Sequence, residues 1–221
     1  MAELLKLGVL ISGSGSNLQS IIDNIEKGAL PAQIKIVVSN NPQAYGLTRS
    51  KRHGIPCTVL NHQDYSSREE FDRELIRILK DAGVDLIVLA GFMRILTASF
   101  LRAFDQKIIN IHPALLPAFP GTHVQQKAID YGVKFSGCTV HFVDEGVDTG
   151  PIIIQSVVPV FQDDTGETLA ARILKEEHRI YPQAIQFFAE GKIAITGRRV
   201  QIKDTEEIPL IALHNPSLTG F

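Results

Sequence analysis

The feature that most constrains this chain is the way two hydrophobic periods alternate along it. Leu7 to Ile11, Ile34 to Val38, Leu86 to Ala90 and Ile108 to Ile111 are short leucine-rich or β-branched runs without regular apolar–polar alternation. Strands of this kind are buried on both faces, as in a parallel sheet covered by helices. Between them, Leu18, Ile21, Ile22 and Ile25 recur at helical spacing. So do Phe71, Leu75, Ile78 and Leu79, behind a Ser67 and Glu70 that have the spacing of a capping box. The rhythm predicts βαβ units, hence an α/β fold with a mostly parallel central sheet and helices on both faces.

Later segments extend the pattern. Gly54 to Leu60 reads as a further strand, and residues 137–143 and 151–160 read as a pair joined by the turn-rich DEGVDTGP, which would make the sheet mixed. From Thr165 to about Phe188, Leu169, Ile173, Ile180 and Ala184 form one helical stripe, and Pro182 is expected to bend or divide that helix. After Gly191 the chain is polar, is broken by Pro209 and Pro216, and shows no clear contribution to the core. The expected organisation is one domain over residues 1–190 with an extension over 191–221 packed on it.

Composition narrows the function classes. A net charge of -2 over 221 residues leaves no basic footprint, so nucleic acid is not an expected partner, whereas small anionic substrates are compatible. Cys57 and Cys138 lack metal-ligand spacing, and there is no HExxH or Cys/His cluster, so no metal is expected. No segment reaches the roughly 18 apolar residues of a membrane span, and the N-terminal run meets turn residues too early for a signal peptide. A cytoplasmic protein, monomeric or homodimeric, is the expectation.

The stretch ISGSGSN, residues 11–17, passes from a strand through glycines into a helix start. Such a turn gathers unpaired backbone N–H groups at the positive end of a helix dipole, which suits a phosphate. It is not a P-loop, because the Lys is missing. Nor does it match a dinucleotide fingerprint: Leu18 replaces the third glycine, and Ser39, Asn40 and Asn41 stand where a ribose-binding acid is expected. What remains is a cradle for a single phosphate built from Gly13, Gly15, Ser16 and Asn17, or a plain βα turn capped by Ser16.

The stretch NIHPALLPAFPG, residues 110–121, carries more chemistry. A strand period of two puts Asn110 and His112 on one face at the carboxyl end of a buried strand, where ligands gather in open α/β sheets. A third group lies in the acidic loop after residue 143, where Asp148, if it reached His112, would favour the imidazolium. Either group alone also reads as structural: His112 as a strand-end histidine, Asp148 as a solvated turn. No nucleophile motif accompanies the trio, so direct transfer between two bound substrates fits better than a covalent enzyme intermediate.

With SNN, LAGFMRIL, VDEGVDTGP and KEEHRIYP in their order and spacing, these blocks make the sequence resemble the folate-dependent phosphoribosylglycinamide formyltransferases over nearly its whole length. The resemblance implies a Rossmann-like formyltransferase fold and formyl transfer from 10-formyltetrahydrofolate, as co-substrate, to the amine of 5'-phosphoribosylglycinamide in de novo purine biosynthesis. It implies that Gly15, Ser16 and Asn17 hold the substrate phosphate. Asn110 then polarises the formyl group, His112 is the general acid and Asp148 sustains its charge. Glu177 becomes the partner of the substrate amine, although the residue alone reads equally as an exposed helix charge. Arg68, Met93, Arg94, Ile95, Leu96, Asn110, Glu145, Gly146, Val147 and Asp148 are implied on the folate side. By hydropathy alone Met93, Ile95 and Leu96 read as core, and Arg68 as a surface charge at a helix start. His123 falls near the site without a role.

Three positions depart from the pattern: Ala114 where Ser is frequent, Phe119 where Tyr is frequent, and Thr149 where a smaller residue is expected, which could restrict the loop. A 10-formyltetrahydrofolate hydrolase is the alternative function. Such relatives usually carry an extra N-terminal domain, and methionyl-tRNA formyltransferases a C-terminal RNA-binding one; neither is visible in this sequence. A non-catalytic sugar-phosphate binder would keep the cradle without needing the Asn110, His112 and Asp148 trio.

Overall fold

Strands read as buried on both faces are so placed in the computed structural model, which describes residues 3–205 and 213–215. In chain order the elements are β1 (Leu5–Ile11), α1 (Ser16–Glu26), β2 (Ala32–Ser39), α2 (Tyr45–Arg52), β3 (Cys57–Val59), α3 (Arg68–Asp81) and β4 (Leu86–Leu89). There follow α4 (Ala98–Ala103), β5 (Ile108–His112), α5 (Val124–Tyr131), β6 (Phe135–Phe142), β7 (Ile152–Pro159), α6 (Gly166–Ala189), β8 (Ile193–Thr196) and β9 (Arg199–Ile202). One sheet runs in the order β3-β2-β1-β4-β5-β6-β7-β9-β8. Its first five strands are parallel, and β6 is antiparallel to both β5 and β7. The sheet is therefore mixed, as expected.

The period of two sorts each central strand between two cores. Leu7, Val9 and Ile11 of β1 join one core with α1 and α6, while Leu10 joins the other with α3. In β5, Ile109 and Ile111 face the α6 side and Ile108 the α3 side. Both faces are thus filled, which is why these runs carry no polar alternation.

Several local expectations change. Pro182 does not divide α6, which runs unbroken from Gly166 to Ala189. Proline cannot donate to the carbonyl four residues back, and here the Ser20 hydroxyl of α1 donates to that His178 carbonyl at 2.7 Å instead. The capping box of α3 is half formed. Ser67 accepts from the Glu70 N–H, but the Glu70 carboxylate accepts from the Ser66 N–H and hydroxyl, one residue further out. Residues after Gly191 do contribute: β8 and β9 form a hairpin at the sheet edge, and Ile193, Ile195, Val200 and Ile202 pack against the α6-side core. The part of the expected extension at 206–212 and 216–221 lies outside the described residues.

Candidate active site

In the strand order, β1 is flanked by β2 on one side and β4 on the other, so the chain reverses its winding direction between β1 and β4. A crevice opens beyond the carboxyl ends of strands at such a point. Here it is a cavity of about 230 Å³ lined by Ser12 to Asn17 on one side and Ala90, Gly91 and Met93 on the other. Gly15, not Ser16, is the N-cap of α1, with φ 69° in the left-handed region and no side-chain cap. A Cβ there would fall 2.7 Å from the Gly46 Cα, so the close approach of α2 requires a glycine. The first N–H groups of α1 have no partner within the helix, and Ser16 and Asn17, which carry two of them, line the cavity. The loop is pinned from outside: Gly46 N–H donates to Gly13 O at 3.1 Å, and Arg49 Nε donates to Ser14 O at 3.0 Å.

Asn17 is also tied to the neighbouring helix. Its Nδ2 donates to Glu177 Oε2 at 2.7 Å, and its Oδ1 is buried with no hydrogen-bond partner among the described residues. The side chain therefore presents an acceptor and keeps its second Nδ2 N–H, which, like the backbone N–H of Asn17, suits a phosphate. Glu177 is not an exposed helix charge. It is 7% exposed on the buried stripe of α6, and burial holds its carboxyl above the ordinary value, only partly offset by the Asn17 hydrogen bond.

Asn110 and His112 leave the α6-side face of β5 to Ile109 and Ile111 and project together from the opposite one. His112 Nε2 donates to the Phe119 carbonyl at 2.8 Å, and its Nδ1 lies 3.3 Å from Asp148 Oδ2. Both neighbours are acceptors, so the arrangement suits a ring bearing two protons. Asp148, at φ 55°, also accepts the Gly121 N–H at 2.8 Å. The antiparallel register sets His141 of β6 opposite Asn110. His141 Nδ1 donates to Phe142 O at 2.8 Å, so Nε2 is free to accept from Asn110 Nδ2 at 3.3 Å. Burial holds the His141 ring below its ordinary value, against the pull of the Phe142 carbonyl and of Asp148. A neutral ring thus orients the Asn110 amide and leaves its second N–H available.

The Formyl transferase family model matches residues 5–185 of this chain. The chain belongs to the formyl transferase family. It is 46% identical over 190 residues to phosphoribosylglycinamide formyltransferase of Haemophilus influenzae, covering 86% of this chain and 90% of that protein. It is 51% identical over 193 residues to the trifunctional purine biosynthetic protein adenosine-3 of Drosophila melanogaster, covering 86% of this chain but only 14% of that longer one. Among solved structures, glycinamide ribonucleotide transformylase 1 from Symbiobacterium toebii matches with TM-score 0.91 and 51% identity, over 92% of this chain and 96% of that one.

Within this formyl transferase, the remaining expected residues fall in three places. Met93 and Ile95 are 70% and 61% exposed on the loop after β4, whereas Leu96 is buried, so the core reading holds for Leu96 alone. Arg94 lies 5.0 Å over the Phe71 ring, and the Asp72 carboxylate, buried on α3, accepts the Thr97 N–H at 2.7 Å and ties down the end of this loop. Glu145, Gly146 and Val147 form the exposed part of the acidic loop with Asp148, and Arg68 is exposed as the first residue of α3. His123 caps α5 in a left-handed conformation. No motif in the sequence singles out His141, and only the β5–β6 register puts it beside Asn110.

Proposed function

We propose that this chain transfers a formyl group from 10-formyltetrahydrofolate to the amine of 5'-phosphoribosylglycinamide, in purine biosynthesis, by direct attack. The observation that carries this reading is that Asn110 and His112 share one face at the end of β5, the strand next to β4, and that the loop between β6 and β7 brings Asp148 to His112. Gly15, Ser16 and the Asn17 N–H suit the monophosphate at that cavity. Glu177 and the Asn17 oxygen, which has no partner among the described residues, offer acceptors to the substrate amine and its neighbouring hydroxyl donors. The exposed apolar Met93, Ile95 and Val147 fit a flat folate ring, with Arg94, Leu96 and the loop Glu145–Asp148 around it and Arg68 toward its acidic tail.

The amine nitrogen bonds to the formyl carbon, giving a tetrahedral centre with an oxyanion. The free N–H of Asn110 and the His112 cation stabilise that charge. On collapse the bond to the folate nitrogen breaks, and that nitrogen takes the Nε2 proton of His112 in place of the Phe119 carbonyl, while the proton the amine gives up returns to His112 through solvent. Asp148, against Nδ1, keeps the ring oriented through the step. The substrates are small molecules, and the two free cysteines, Cys57 and Cys138, suit a cytoplasmic setting.

Deformylation followed by folate absorbance, with and without the phosphoribosylated acceptor, tests the reading. Loss of formyl only with acceptor supports transfer; equal loss without it makes water the acceptor and favours the hydrolase. Within a transferase, Asn110→Ala lowers kcat roughly 100-fold or more. Asp148→Asn lowers it by a similar order while the circular dichroism spectrum is retained. Unchanged turnover in either variant removes that residue from the chemistry.

A further inference from the structure

The hairpin of β8 and β9 turns through just two residues, Gly197 and Arg198, because Thr196 pairs with Arg199. Gly197 takes φ 59°, which a two-residue turn of this kind demands. The turn sits at the root of the acidic loop, since Arg199 of β9 pairs with Ile152, the first residue of β7. From there Arg198 Nη2 donates to the Thr149 carbonyl at 2.7 Å. We propose that Arg198 is a positioning residue: it latches the loop 144–150 so that Asp148 stays on His112. The inference rests on the catalytic reading of Asp148 given above.

The loop supplies the other half of the argument. The Asp144 carboxylate accepts from the Thr149 hydroxyl at 2.5 Å and from the Gly146 N–H at 3.1 Å, folding the loop onto itself. That internal closure sets the shape of the loop, not its place on the sheet. Asp148 holds a left-handed backbone, which a non-glycine residue keeps only where its surroundings enforce it. Two contacts to the rest of the molecule do so on either side of its peptide: the Gly121 N–H on the Asp148 side chain and Arg198 on the next carbonyl. Thr149, the position where the sequence departs from the family pattern, joins both systems, with its hydroxyl inside the loop and its carbonyl on the latch. The hairpin is thus coupled to the His112–Asp148 pair, although none of its residues reaches the cavity between β1 and β4.

Amide exchange of the full chain, read by mass spectrometry, tests the latch without substrate. Arg198→Ala is compared with Arg198→Lys, which keeps a donor of similar reach. A net hydrogen bond shifts a local equilibrium roughly five-fold, so exchange of 145–150 is expected to quicken about that much in Arg198→Ala and to recover in Arg198→Lys. Exchange of 193–202 stays unchanged. Loop exchange that does not move, or that rises only together with 193–202, overturns the latch. In the formyl-transfer assay Arg198→Ala is expected to lower kcat by roughly the same factor while KM for the phosphorylated acceptor holds, because the cradle lies on other loops. A loosened loop with unchanged kcat overturns the positioning role. Absence of formyl transfer in the unmodified chain would fail the proposed function, and the exchange comparison would still decide the latch.

Discussion

At Glu177 the proposed contact with the substrate amine is set against stability. Its carboxyl is buried and held above the ordinary value by that burial, and Asn17 Nδ2 is the donor that supports the ionised form among the described residues. An acid whose folded value is raised binds more protons in the folded chain than in the unfolded one. Stability therefore falls as pH rises from the ordinary carboxylate value through the raised one, and stays lower above it. Glu177→Gln removes the buried charge and keeps an oxygen to accept from Asn17. Thermal unfolding at pH 7.5 is expected to show the variant more stable by about 1 kcal/mol, with the gain shrinking as pH is lowered through the acid range. A variant less stable at every pH would show that the carboxylate is held by more than Asn17. Activity is expected to fall in the same variant, because the substrate amine loses its anionic partner. Gly15→Ala acts on the cavity lining itself. It places a Cβ 2.7 Å from the Gly46 Cα at φ 69°, so the cradle must shift, and the expected result is a raised KM for the phosphorylated acceptor.

At the scale of elements, the joint between α1 and α6 depends on replacing one missing hydrogen bond. Pro182 leaves the His178 carbonyl without its helical donor, and Ser20 reaches across from α1 to supply one at 2.7 Å. Ser20→Ala is expected to cost about 1–2 kcal/mol in denaturant unfolding, since a part-buried carbonyl loses its partner. In a Pro182→Ala background the new N–H at 182 restores the intrahelical bond, and the cost of Ser20→Ala shrinks; a purely additive double-mutant cycle would refute the exchange. Tyr181, the neighbour of that proline, serves the sheet in the same way. Its buried hydroxyl lies 3.0 Å from Leu89 O and 3.1 Å from Ile109 O, bridging β4 and β5 just before the site. The helix therefore delivers Glu177 to Asn17 while Tyr181 locks it onto β4 and β5.

For the whole molecule, the sheet unites both cores, and Cys138 lies within it on β6, fully buried. Burial raises its thiol far above the ordinary value, with Glu177 and Glu176 adding to the effect. Half-buried Cys57 sits on the edge strand β3. Native protein at pH 8 is expected to release one equivalent promptly with a thiol reagent, and the second only across the global unfolding transition followed by circular dichroism. Labelling of Cys138 well below that midpoint would mean that the antiparallel half of the sheet opens by itself. The sequence alone determined the alternation of strands and helices, the glycine turn after β1, and the shared face of Asn110 and His112. Each follows from backbone geometry repeated over a few residues. Which strands became neighbours was decided only by tertiary structure. The antiparallel register of β6 put His141 against Asn110. The return into β7 brought Asp148 to His112, and the packing of α6 on α1 paired Asn17 with Glu177, residues 160 positions apart. The hairpin was hidden for the same reason. Its half-buried positions are too few to announce a core contribution, and they gain one only where the edge of an existing sheet supplies the hydrogen bonds and the apolar surface.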